Sequence, residues 1–214
     1  MEFWSYMLIF IIGSYIFSYV YEKKRTEAFE LIAKSLGFSF SKSGRETTKS
    51  MYGNFELFSK GHHGNLKNEI WGNNKNNRVS IFGYSYNSQR NNSGYSHTYI
   101  QTVLSIEDSK LNFPKFELEP ENIFHKIGQV FGYQDIDFES FPVFSKKYLL
   151  RGRDEVKIRE LFTPKVIKYF EMNQNIHIEA QGHILIFYKP SKECKINEIK
   201  EFYREGQVAL SNFI

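Results

Sequence analysis

The run from Phe3 to Tyr21, FWSYMLIFIIGSYIFSYVY, contains no charged residue, and no other stretch limits so strongly what the chain can become. As a helix it would extend roughly 28 Å, close to the hydrocarbon thickness of a bilayer. Its most polar residues are Ser5, Ser14 and Ser18, whose hydroxyls can bond back to their own helix. Trp4 and Tyr6 stand at one end and Tyr19 and Tyr21 at the other, as rings resting at two headgroup levels would. Lys23, Lys24 and Arg25 follow directly. The sequence therefore predicts a transmembrane anchor over residues 1–21 with lipid bilayer as its first partner. Basic flanks stay on the cytoplasmic side, so the N-terminus is expected outside and residues 22–214 form a cytoplasmic, water-soluble domain. A cleaved signal peptide fits less well, because Glu2 precedes the run and bulky residues end it. The single cysteine, Cys194, suits a reducing compartment.

The remaining length suffices for one domain, or for two subdomains dividing near 107–115. With 28 basic and 24 acidic residues the formal charge is +4. The basic residues are dispersed rather than gathered into an arm, so no nucleic-acid partner is expected. Twenty-one Phe and 14 Tyr point to an aromatic core rather than a binding cage.

Helical spacing of Phe29, Ile32, Ala33 and Leu36 continues the anchor as an amphipathic helix that Gly37 can end. Strand signals follow at Phe38–Ser41, Phe55–Ser59, Asn68–Trp71, Arg78–Tyr86 and Tyr99–Ile106, with a hairpin turning within residues 73–77. The polar stretch from Asn87 to His97, holding Arg90 and Tyr95, is a candidate contact loop. Pro120 is placed to open a helix closed by Gly132, Asp154 to cap a short helix to Phe162, and Thr163-Pro164 to open another. Residues Ile176 to Tyr188 read as a hairpin around Ala180-Gln181-Gly182, pairing Ile178 with Ile184. The last helix carries Ile199, Phe202, Tyr203, Gly206, Ala209, Leu210 and Phe213 on one stripe, with Gly206 marking close packing. Antiparallel strands with interspersed helices and a C-terminal helix give an α+β class.

Candidate chemistry is sparse. His62 and His63 read as part of a loop between Gly61 and Gly64 and lack the further ligands that a metal needs. In the hairpin register above, Glu179 faces His183 across the strands and His177 lies one pleat away. Two imidazoles and a carboxylate on one face can bind zinc with an open position. An exposed cross-strand charge pair accounts for the same residues. No Gly-x-Ser-x-Gly, Gly-x-Gly-x-x-Gly or P-loop pattern occurs, so no cofactor is expected and whether the chain is an enzyme stays open. The leading expectation is a binding or scaffolding module for a protein or membrane partner. The alternative is a membrane-associated enzyme of unfamiliar type, with His177, Glu179 and His183 as its metal site.

Gln101-Thr102-Val103, the Phe-x-Leu-x-Pro-Glu run from Phe116 to Glu121, and the phrase FGYQDIDFESFPVFSKKYLLRGRDEVKIRELF from Phe131 to Phe162 carry a resemblance. Together with the apolar run and its basic flank they resemble a family of uncharacterised bacterial proteins with one N-terminal transmembrane helix and a cytoplasmic α+β domain. In that family's pattern an Asp often stands where this chain has Gly83. The resemblance implies a bacterial inner-membrane protein and no known activity.

Overall fold

A computed structural model describes residues 2–74, 77–88, 96–121 and 135–214. Within them, eight strands form one sheet: β1 (Ser39–Ser41), β2 (His62–Asn74), β3 (Asn77–Asn87), β4 (Thr98–Glu107), β5 (Phe113–Pro120), β6 (Tyr148–Gly152), β7 (His177–Gly182) and β8 (Ile184–Tyr188). Their order is β1-β2-β3-β4-β8-β7-β5-β6, and every neighbouring pair is antiparallel. The described helices are α1 (Glu2–Leu36), α2 (Glu46–Met51), α3 (Glu56–Ser59), α4 (Pro142–Lys147), α5 (Glu155–Leu161), α6 (Pro164–Met172) and α7 (Ile199–Asn212). The α+β class and the C-terminal helix stand as expected. Asp154 and Thr163 cap α5 and α6 by accepting from the Lys157 and Val166 amides.

Alternation along the strands sends their residues to two different covers. One face gives Ile70, Val79, Ile81, Leu104, Leu118, Ile178, Leu185 and Phe187 to the main core, where they meet Phe29 and Ala33 of α1 and the apolar sides of α4 to α7. Phe116, Phe144, Phe162, Phe170 and Phe213 fill the centre, with rings meeting mostly edge-on or tilted at 5.3–6.5 Å. Gly206 of α7 is buried in this layer, and a Cβ there would clash with Leu104. The other face carries Leu66, Phe82, Tyr84, Tyr86, Val103, Ile186 and Tyr188 under Tyr52, Phe55 and Leu57. Residues 45–60, with α2 and α3, form a strap across this second face.

Three local readings are corrected. The segment Phe55–Ser59 contains helix α3, not a strand, because a carboxylate from β7 accepts its first two amides. His62 and His63 begin β2 rather than lying in a loop. The terminal hairpin pairs Gln181 with Ile184 and Ile178 with Phe187, so its turn is the two residues Gly182-His183, with Gly182 at φ +57°. The helix expected from Pro120 to Gly132, and Arg90 and Tyr95 of the contact loop, lie outside the described residues. Pro120 itself ends β5.

The membrane anchor is also corrected. Among the described residues no helix is long and apolar enough to cross a membrane. Ser14, Tyr15, Ser18, Tyr19 and Tyr21 punctuate the apolar run, and Glu22 to Arg25 follow in the same helix. The transmembrane, single-pass reading is therefore withdrawn, and with it the N-outside orientation and inner-membrane placement that rested on it. Arg25 departs furthest from a headgroup role. It is 1 % exposed, donates to the Cys194 carbonyl at 2.7 Å, pairs with Glu193 at 3.2 Å and lies over the Phe29 ring. It thus docks α1 onto the domain, whereas Lys23 and Lys24 stay exposed. N-terminal to this anchor point the helix projects: Trp4 and every residue from Tyr6 to Tyr21 are exposed.

Candidate functional site

The second sheet face holds a buried charged cluster at one end of the strap. Strand β5 reads Phe-Glu-Leu-Glu-Pro, so Phe116 and Leu118 enter the main core while Glu117 and Glu119 point the other way. β6 brings Arg151, β7 brings His177 and Glu179, β8 brings Tyr188, and Lys60 enters from the end of α3.

His177 Nε2 lies 3.0 Å from Glu117 Oε1 and 3.7 Å from Glu179 Oε1. Lys60 Nζ donates to the same Glu117 oxygen at 3.2 Å and stands 4.0 Å from Glu119. Arg151 bridges the two β5 carboxylates, at 3.1 Å from Glu117 Oε2 and in short contact with Glu119. The His177 ring stacks on Tyr188 with centroids 4.3 Å apart. Glu179 accepts from the amides of Glu56 at 2.6 Å and Leu57 at 3.0 Å, and from the Tyr188 hydroxyl at 3.1 Å.

Burial sets the protonation states. It lowers His177 to about 4 and outweighs the pull of the Glu117 hydrogen bond, so the imidazole is neutral at pH 7. Its Nε2 then donates to the Glu117 carboxylate. Burial opposes ionisation of Glu117 too, but His177, Lys60 and Arg151 together hold it well below the carboxylate range. Among the described residues, Glu179 has no such cation in contact. Burial and the Glu117 charge push it up to about 8, against Lys60, the Tyr188 hydroxyl and the Leu57 amide.

Glu117, His177 and Glu179 present ligand atoms within 4.8 Å of one another, a donor set of metal-binding type. Lys60 and Arg151 already supply positive charge there, however, and a divalent cation would have to displace the Lys60 ammonium from Glu117. The adjoining cavity is about 40 Å³, room for a water molecule rather than a substrate. Of the residues singled out in the sequence, His177 and Glu179 come together. His183 sits in the turn with Nδ1 against the Leu111 carbonyl. Glu117 stands in the place expected of His183; its signal was the Glu-x-Glu alternation opposite Phe116 and Leu118.

The other end of the strap is fixed in a similar way. Glu69 is fully buried and accepts from the Arg45 amide at 2.8 Å, its guanidinium at 2.6 and 3.1 Å, and the Thr48 hydroxyl at 2.7 Å. Arg45 also lies over Trp71, 4.3 Å from the ring centroid. Glu69 reaches this face because β2 slips register between Lys67 and Ile70, with Asn68 at φ +52°. Both carboxylate clusters therefore clamp residues 45–60, and their charges are met by partners within the chain.

Remaining expected positions fall elsewhere. Trp4, Tyr6, Tyr19 and Tyr21 line the projecting part of α1, and the Phe3 side chain lies outside the described residues. A Cβ at Gly83 would stand 3.3 Å from Lys67 Cγ, so an acidic side chain there would enter the neighbourhood of Lys67, Glu22 and Glu193.

No protein-family model and no curated protein matches the chain. Among solved structures it is similar to the mycobacterial trehalose monomycolate transport factor A, with a TM-score of 0.63 and 11% identity over 88% of this chain and 92% of that one. At that identity the likeness shows a shared α+β fold alone.

Proposed function

We propose that the chain is a binding or scaffolding module for a lipid or protein partner, with the projecting half of α1 as its contact element. The observation that carries this reading is the exposure of a largely apolar, aromatic-rich helix surface, Trp4 and Tyr6 to Tyr21, beyond the point where Arg25 docks the helix. Exposed apolar area on this scale marks an interaction surface. The buried clusters support the same reading, since their charges clamp the strap and, among the described residues, the cavity beside Glu117 and Glu179 has room for only a water molecule. The fold neighbour is named as a transport factor, a role consistent with binding rather than chemistry.

Photo-crosslinking with the full chain tests it. A photoreactive residue at Phe10 and one at Phe17 should capture the same lipid or protein, while one at Met172, an exposed apolar residue of α6, should not. Capture from neither α1 position, or equal capture from Met172, would sink the reading.

A further inference from the structure

Where α1 leaves the domain, it and the edge of the sheet enclose a hollow of about 400 Å³, within the size range of small-molecule sites. Tyr19, Lys23 and Thr26 line it from the helix, and Lys42, Lys67 and Asn68 line it from the sheet side. It lies where α1, seated on the domain by buried Arg25, Phe29 and Ala33, passes the β2 register slip at Asn68.

The charges there are unevenly matched. Lys67 is held by both carboxylate oxygens of Glu22, at 2.9 and 3.0 Å, with Glu193 at 3.8 Å. Glu193 also neutralises Arg25. Among the described residues, Lys23 and Lys42 have no carboxylate within ion-pair distance, and the remaining acid at the rim is Glu27. Asn68 is 2 % exposed, and its Oδ1 has no hydrogen-bond donor among the described residues, so it can accept from a hydroxyl. Directly above begins the exposed apolar surface of α1, starting at Tyr21 and Tyr19. Excess positive charge and an unpaired acceptor at the root of an apolar rod complement a molecule with an anionic, hydroxyl-bearing head and an apolar tail.

We propose that this hollow binds the anionic head group of a phospholipid whose chains lie along α1, with Lys23 and Lys42 as the residues that contact the phosphate. This rests on α1 engaging a lipid rather than a protein, one of the two partners the module reading allows. Each lysine beside an anionic lipid surface contributes about fivefold to binding.

The test uses the full chain and sedimentation with vesicles of phosphatidylcholine alone or mixed with phosphatidylglycerol. The mixed vesicles should bind more tightly. Lys23→Gln and Lys42→Gln should each cut that binding about fivefold and leave phosphatidylcholine binding unchanged, with thermal unfolding as the check that both variants fold. Lys168→Gln, an exposed change on α6, should have no effect. Equal loss with Lys168→Gln means diffuse charge attraction and overturns the site. Equal binding to both vesicle types also overturns it, while leaving the α1 contact reading standing if crosslinks at Phe10 and Phe17 persist. Lysine-dependent binding of inorganic phosphate as tight as that of the mixed vesicles would assign the hollow to a free anion and overturn the lipid proposal.

Discussion

His177 offers a quantitative handle on the buried cluster. Its ring is held neutral by burial between Tyr188 and Glu117, and its pKa falls from an ordinary 6.5 to about 4. Between those values the unfolded chain binds a proton at this residue and the folded chain does not. The His177 contribution to stability is therefore complete above pH 6.5 and is lost progressively as the pH falls toward 4. The interval corresponds to about 3 kcal/mol. His177→Phe retains an aromatic ring against Tyr188 and removes the titration, leaving Glu117 to Lys60 and Arg151. Unfolding free energies of both proteins, measured in urea across this range, give the difference wild type minus variant. Carboxyl groups away from His177 cancel from it, and Glu117, which loses the His177 hydrogen bond, is still held ionised by Lys60 and Arg151. The difference should fall by about 3 kcal/mol from neutral pH down to about 4. A difference that stays flat would show that His177 is not a buried neutral imidazole and would refute the assignment of charges in the cluster.

Other changes test the packing around the strap and α1. Glu179→Ala strips the acceptor from the Glu56 and Leu57 amides and should cost about 1–3 kcal/mol; hydrogen exchange at those two amides should quicken, and unchanged exchange would argue against the capping role. Gly206→Ala drives a methyl into Leu104 and should cost about 1–3 kcal/mol in denaturant unfolding, partly restored when combined with Leu104→Ala; simple additivity of the two losses would contradict that close approach. Arg25→Ala leaves the Cys194 carbonyl without its donor and Glu193 with Lys67 alone, at 3.8 Å, and should destabilise by about 1–3 kcal/mol, whereas Arg25→Met, which keeps the buried stem, should recover part of the loss in the same thermal or denaturant melt.

What the sequence made legible divides by the range of the cause. Helix α7 could be read because its stripe from Ile199 to Phe213 repeats within a few residues, and the Asp154 and Thr163 caps are equally local. Strand positions in β3 and β4 emerged from alternation that needs only the next neighbour. The second sheet face was hidden because each of its polar residues is explained by a partner far along the chain. Helix α3 exists at Phe55–Ser59 because Glu179 caps it from 122–123 residues away, and Arg25 is buried because the Cys194 carbonyl lies 169 residues away. Register failed where one residue decides it. A two-residue turn in place of three moved His183 out of the cluster, and the slip at Asn68 turned Glu69 onto the strap side. These errors share a direction. Read locally, the buried acids and histidine look like free groups available for metal or catalysis. Read with their partners, Glu69, Glu117 and Glu179 hold Arg45, Lys60 and the first amides of α3. Groups so fully engaged in fixing a strap have little capacity left for an external ligand. The binding proposed for this chain is accordingly placed where engagement stops, on the exposed half of α1 and at the lysines beside its root.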